Sequence, residues 1–158
     1  MNTWGEGQQL QFAYFGDRIN ENQIDQVFDS WNGLSRPAYP VFGTSSYESS
    51  ALQVVHADGN LTLDLIVDKV ETLDEKSAKL TVIHLKDRVY PFYVTLNFRA
   101  FNNLDIIETW TEYSHNEKKA VVLKRFDSGH FMIRRGGRVD LFSIRTLGVL
   151  RLGLLQNR

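Results

Sequence analysis

Residues Ala51 to Leu65 read ALQVVHADGNLTLDL, and the reading of that stretch decides the fold. Ala51, Gln53 and Val55 face one way and Leu52, Val54 and His56 the other, the period of two of a half-buried strand. Asp58-Gly59-Asn60 follows, three residues that tolerate the positive φ of a tight reversal. Leu61, Leu63 and Leu65 then resume the alternation against Thr62 and Asp64. The stretch predicts a hairpin, and the chain beyond it repeats the pattern.

Leu61 to Leu73 runs to an acidic, polar turn at Asp74 to Ser77, and Leu80, Val82 and Leu85 lead out through Asp87-Arg88. Tyr93 to Phe101 alternates, Asn102-Asn103 turns the chain, and Ile106 to Tyr113 returns. Ala120 to Phe126 and His130 to Arg134 form a further pair around Asp127-Ser128-Gly129. Strands of this kind, with turn signals every ~10 residues, predict an antiparallel sandwich. Upstream, Leu10, Phe12 and Tyr14 alternate with Gln11, Ala13 and Phe15 as a strand closed by Gly16-Asp17. Asn20 to Trp31 is the helix candidate: Asn20 caps it, Ile24, Val27, Phe28 and Trp31 recur at spacings of three and four, and Gly33 ends it. Leu34 to Tyr47, with Pro37, Pro40 and Gly43, predicts a long ordered loop.

A chain of 158 residues with 42% hydrophobic residues is one domain with a real core. It has no cysteine, so a disulfide framework and a thiolate metal site are both excluded. The N-terminus shows no basic start followed by an apolar run, and no segment approaches the ~20 apolar residues that span a bilayer. The expectation is a soluble, cytoplasmic protein with no membrane partner. Charge is uneven: from residue 134 onward six arginines face one acid, Asp140, whereas all seven lysines lie before residue 125. Over residues 136–158, Leu141, Ile144, Leu147, Leu150 and Leu154 have helical spacing, but Gly136, Gly137, Gly148 and Gly153 oppose a stable helix. This tail reads as a break in the strand pattern.

Candidate chemistry is sparse. The acids Asp64, Asp68, Glu71, Glu108 and Glu112 read as solvated faces of strands, and a glycosidase needs two carboxyls at a set separation that sequence does not fix. His56, His84, His115 and His130 occur singly, without zinc-ligand spacing, and read as surface or hydrogen-bonded histidines. Ser128-Gly129-His130 reads as a turn. Gly136-Gly137 lacks the lysine and helix of a phosphate-cradling loop, so no cofactor is implied. The arginines of the tail have no interleaved aromatic platform, which argues against nucleic acid. Among the aromatics, Trp110 and Phe98 are expected in the core. Tyr39, Phe42 and Tyr47 fall on the irregular loop, where binding groups concentrate.

SSALQVVHADGNLTLDL resembles a segment of the N-terminal β-domain of family-36 glycoside hydrolases, the α-galactosidases. QLQFAYFGDRI, YPVFG, LKDRVYPFYVTLNFRAF and DIIETWTEYSHNEKKAVVLKRFDSGHF resemble further segments of it, in the same order, so that the likeness spans residues 9–131. The resemblance implies an all-β antiparallel β-supersandwich, here with one short helix and a long loop. It implies a parent reaction of retaining hydrolysis of terminal α-galactosides such as raffinose or melibiose, carried out by carboxylates on a barrel. This chain would then be a non-catalytic domain that packs on that barrel and helps to build a homo-oligomer. The resemblance implies a loop before the ALQV segment that in many relatives carries an Asp-Phe-Arg triplet, and a domain that helps to cover the active site of a neighbouring subunit in a tetramer. The aligned residues here are Ser46, Tyr47 and Glu48, which keep the aromatic centre without the flanking acid and arginine. Tyr39, Phe42, Ser46, Tyr47 and Glu48 are thus the substrate-adjacent candidates, with an α-galactoside as ligand. The implied organisation is a β-domain over residues 1–135 and an atypical tail over 136–158, truncated or frame-shifted from the family's pattern. The competing reading is a free-standing carbohydrate-binding β-sandwich.

Overall fold

The structure, a computed structural model, describes residues 8–12, 37–43, 49–135, 138–144 and 148–151. The predicted helix over residues 20–31 lies outside the described residues, which hold no helix of their own. They form nine strands, named here in chain order: β1 (Leu52–Val55), β2 (Leu65–Asp74), β3 (Ala78–Asp87), β4 (Phe92–Phe101), β5 (Ile106–His115), β6 (Val122–Phe126), β7 (Gly129–Arg135), β8 (Arg138–Ile144) and β9 (Gly148–Arg151). A five-stranded sheet runs in the order β2-β3-β4-β5-β9, and two pairs, β1-β6 and β7-β8, stand apart from it. Every named pairing is antiparallel, as an all-β antiparallel fold requires.

The alternation in β4 explains the layering. Phe92, Val94 and Leu96 turn to a buried cluster with Leu85 of β3, Leu52 and Val54 of β1, and Val41 and Tyr39 from the 37–43 segment. Phe98 packs against this cluster, as its place in the alternation predicts. Trp110 does not. Paired with Asn97, it lies on the opposite face of the sheet. There its indole N–H donates to Glu112 at 2.9 Å, and the Arg99 guanidinium sits 4.9 Å from its ring. An aromatic that gains both a hydrogen bond and a cation–π contact has little need of the core.

Two further readings change. The Asp58-Gly59-Asn60 reversal is present, with His56 N–H donating to Asn60 C=O at 2.8 Å and Gly59 at a φ of 89°. The strands it joins nevertheless part: β1 pairs with β6 and β2 with β3. The cause is local. Leu63 N–H donates to Phe42 C=O at 3.0 Å and Asp64 N–H to the Asp87 carboxylate at 2.7 Å, so residues 61–64 cannot offer β1 a ladder. They cross from one layer to the other.

The second change concerns the described residues after 135, 138–144 and 148–151, which form strands. β8 extends from β7 in register from Gly129↔Ile144 to Arg135↔Arg138, and β9 caps the free edge of β5, pairing Ile106↔Arg151 to Thr109↔Gly148. An open strand edge is a template for further strand, and Gly148 opens a strand where sequence periodicity set it against a helix.

Candidate functional site

Tyr39 and Phe42 occupy the described part of the predicted loop, and they part company. Tyr39 is buried and its hydroxyl lies 2.6 Å from the Tyr113 hydroxyl while donating to the Asp127 C=O at 2.6 Å. Burial, reinforced by the Tyr113 hydroxyl, pushes the Tyr39 phenol far above its ordinary value, so it stays a protonated donor. Phe42 is 44% exposed, although its backbone is fixed on both sides, N–H to Leu52 C=O and C=O from Leu63 N–H. Ser46, Tyr47 and Glu48 lie outside the described residues.

Around Tyr39 the polar groups form a seam. The turn from β6 to β7 is buried at Asp127, whose backbone N–H donates to Ala51 C=O at 2.8 Å and whose carboxylate takes two bonds from Arg125, at 2.9 and 3.1 Å. Tyr113 also donates to the Asp127 C=O, at 3.2 Å, and the hydroxyls of Thr109 and Thr111 both donate to the Ser128 C=O, at 3.2 and 3.0 Å. Thr109, Thr111 and Tyr113 follow at every second position of β5, so one strand face supplies three hydroxyls to one turn. A buried carbonyl left without donors would cost about 1–3 kcal/mol, which is what the seam averts.

Beside the seam lies a cavity of about 390 Å³, walled by Tyr39, Leu96, Phe98, Ile107 and Phe131. Its walls are almost wholly apolar. Lys79, Thr81, Ser128 and His130 are the polar residues of its lining.

A second cluster joins three turns at one end of the sheets. The His56 ring is buried, stacked on Tyr90 with centroids 3.7 Å apart and edge-on to Phe92. Its Nδ1 lies 2.7 Å from Glu117 Oε1, and Glu117 Oε2 accepts the Ala57 N–H at 2.8 Å. Burial pushes the Glu117 carboxyl up, but these two donors outweigh it and hold the group below its ordinary value. Tyr90 donates to Asp58 at 2.8 Å and accepts from Asn60 at 2.9 Å.

The remaining acids that sequence singled out are spent on neighbours. Asp64 pairs with Arg88, Asp68 with Lys86, and Glu71 with Lys69 and His84; Glu108 pairs with Arg99, and Glu112 accepts from Trp110 and Asn97. Among the described residues no group of three or more His, Asp or Glu is arranged to hold a metal ion. What sequence reasoning missed is Asp127, Glu117 and the threonine pair. Only the threonines carried a signal, a Thr-x-Thr-x-Tyr alternation facing the core.

The chain matches the description of the glycosyl hydrolase family 36 N-terminal domain over residues 8–145. It belongs to that family. The match runs past the boundary predicted at residue 135. Solved structures with the same fold include the galactosidase domain of the α-galactosidase–sucrose kinase AgaSK. That domain aligns with a TM-score of 0.65 at 19% identity, over 76% of this chain and 21% of its own. The α-galactosidase of Lactobacillus brevis aligns with a TM-score of 0.56 at 19% identity, over 71% and 19%. AgaB of Geobacillus stearothermophilus gives 0.56 at 20%, over 61% and 15%. The family-36 N-terminal domain seen here therefore spans about a fifth or less of the length of these enzymes. No curated protein sequence matches the chain.

Proposed function

We propose that this domain serves an α-galactosidase of family 36 without making or breaking a bond itself. The reading is supported above all by the family match over residues 8–145 combined with buried hydrogen bonds that hold turns in place. Its work is to pack against the catalytic barrel of the enzyme and to help assemble a homo-oligomer, with the parent reaction the retaining hydrolysis of terminal α-galactosides. Phe42 is the described residue best suited to a substrate-adjacent role, because an exposed aromatic on fixed backbone offers a sugar a ring face without reordering. Tyr39 contributes by holding that segment down. Tyr47, with Ser46 and Glu48, completes the proposed loop. The lack of cysteine suits work in the cytoplasm. No helix among the described residues is long and apolar enough to cross a membrane.

Calorimetric titration of the 158-residue chain with raffinose tests the division of labour. We expect no saturable heat, because one ring beside a subunit partner's pocket is only part of a sugar site. Micromolar saturable binding would instead make the domain a carbohydrate-binding module in its own right.

A further inference from the structure

We propose that His56 and Glu117 form an acid-released latch that ties the turn between β5 and β6 to the turn between β1 and β2. The inference is independent of the function proposed above and rests on the geometry at one end of the sheets. Both oxygens of Glu117 are used, Oε1 by His56 Nδ1 at 2.7 Å and Oε2 by the Ala57 N–H at 2.8 Å. The two side chains are almost fully enclosed, 0% exposed for His56 and 5% for Glu117. His56 Nε2 is buried with no hydrogen-bond partner. The ring lies against Tyr90 and Phe92, neither of which can neutralise a charge. Glu117 is thus the polar partner that holds both this ring and the Ala57 N–H in place.

Acid removes that support. Once Glu117 takes up a proton it loses its charge and one acceptor oxygen, so it no longer serves both the His56 ring and the Ala57 N–H. The ring then gains more from water than from the stack, and the segment after β5 comes away from Ala57. The other titratable groups facing the pair do not replace Glu117. From the β1–β2 turn, Asp58 is committed to the Asn60 N–H and the Tyr90 hydroxyl. From the β3–β4 turn, Tyr90 is a protonated donor whose phenol stays above its ordinary value. From β5, His115 accepts the Glu117 N–H through its Nδ1 at 3.3 Å. The sign follows from the depressed Glu117 carboxyl: the latch is fully formed above the ordinary glutamate range and lost as pH falls through the lower, native value. A second tie between the turns, Asn116 N–H to Pro91 C=O at 2.8 Å, carries no titrating group and limits how far the segment travels.

The test is amide hydrogen exchange of the full chain, read by NMR from pH 7 downward. Protection of the Ala57 amide is expected to fall about tenfold per pH unit below the Glu117 titration, while amides of β3 and β4 hold theirs. Glu117→Gln keeps the shape without the charge and is expected to leave the Ala57 amide less protected than in the native chain already at pH 7. Loss of Ala57 protection only together with β3 and β4 would overturn the proposal, as would native-like Ala57 protection in E117Q at pH 7. If E117Q does not fold, the comparison between Ala57 and the strand amides in the native chain decides alone.

Discussion

Gly43 and Gly59 both hold a left-handed backbone, at φ of 100° and 89°, and they differ in what a methyl group would meet. At Gly43 an added Cβ falls 2.6 Å from Thr62 Cγ2 and 2.9 Å from the Thr62 Cα, so backbone must move. At Gly59 it meets nothing within 4 Å. Gly59→Ala should therefore cost only the left-handed strain, about 1 kcal/mol, whereas Gly43→Ala adds overpacking and should cost about 3 kcal/mol or more. Urea unfolding midpoints of the two variants check this, and equal costs would mean that the 41–43 segment does not press on Thr62. The same residue scale shows why Tyr39 and Phe42, three positions apart in sequence, have different roles. One hydroxyl is consumed by the core and one ring is left to solvent. Sequence placed both on an irregular loop, but it had no way to say which faced inward. Proline and glycine mark where regular structure stops, and the partners that bury Tyr39, Tyr113 and Asp127, are 74 and 88 residues away.

At the scale of elements, β5 is the strand that serves two purposes. One face displays Glu108, Trp110 and Glu112, while the other offers Thr109, Thr111 and Tyr113 to the β6–β7 turn. The two threonines share a single acceptor, the Ser128 carbonyl, so their contributions are not independent. Thr109→Val or Thr111→Val alone should cost about 1 kcal/mol, since the carbonyl keeps one donor. The double variant should exceed the sum by about 1 kcal/mol, because the carbonyl then has none. A double-mutant cycle in denaturant measures this, and simple additivity would mean that water already serves the carbonyl. Most strand positions were legible, because period-two alternation is a local property: β3, β4 and β5 match the runs read around Leu80–Leu85, Tyr93–Phe101 and Ile106–Tyr113. Pairing was less so. The Asp58-Gly59-Asn60 turn read as a hairpin, but Phe42 and the Asp87 carboxylate take the N–H groups that a hairpin would need, and neither is near in sequence. The strands β8 and β9 were missed for a related reason. Glycine frequency spoke against a helix there, whereas the open edges of β7 and β5, which draw those residues into strands, are features of the assembled sheets.

At the scale of the molecule, the five-stranded sheet carries β1-β6 on one face, with the buried cluster of Leu52, Val54, Leu85, Val94 and Leu96 between them. Two sets of buried polar groups hold turns in place: the Tyr39–Tyr113–Asp127 seam binds a turn to a strand, and the His56–Glu117 pair binds one turn to another. Asp64, Asp68 and Glu108 pair with Arg88, Lys86 and Arg99. This is the chemistry of a scaffold, and it agrees with a domain that spans 15–21% of the length of the enzymes it resembles in fold. The most direct measurement is release of nitrophenol from a nitrophenyl α-galactoside by the purified 158-residue chain. The account predicts no release above the buffer rate at any pH at which the fold persists. Turnover at an ordinary enzymatic rate, abolished by substituting an acid of this chain, would contradict it.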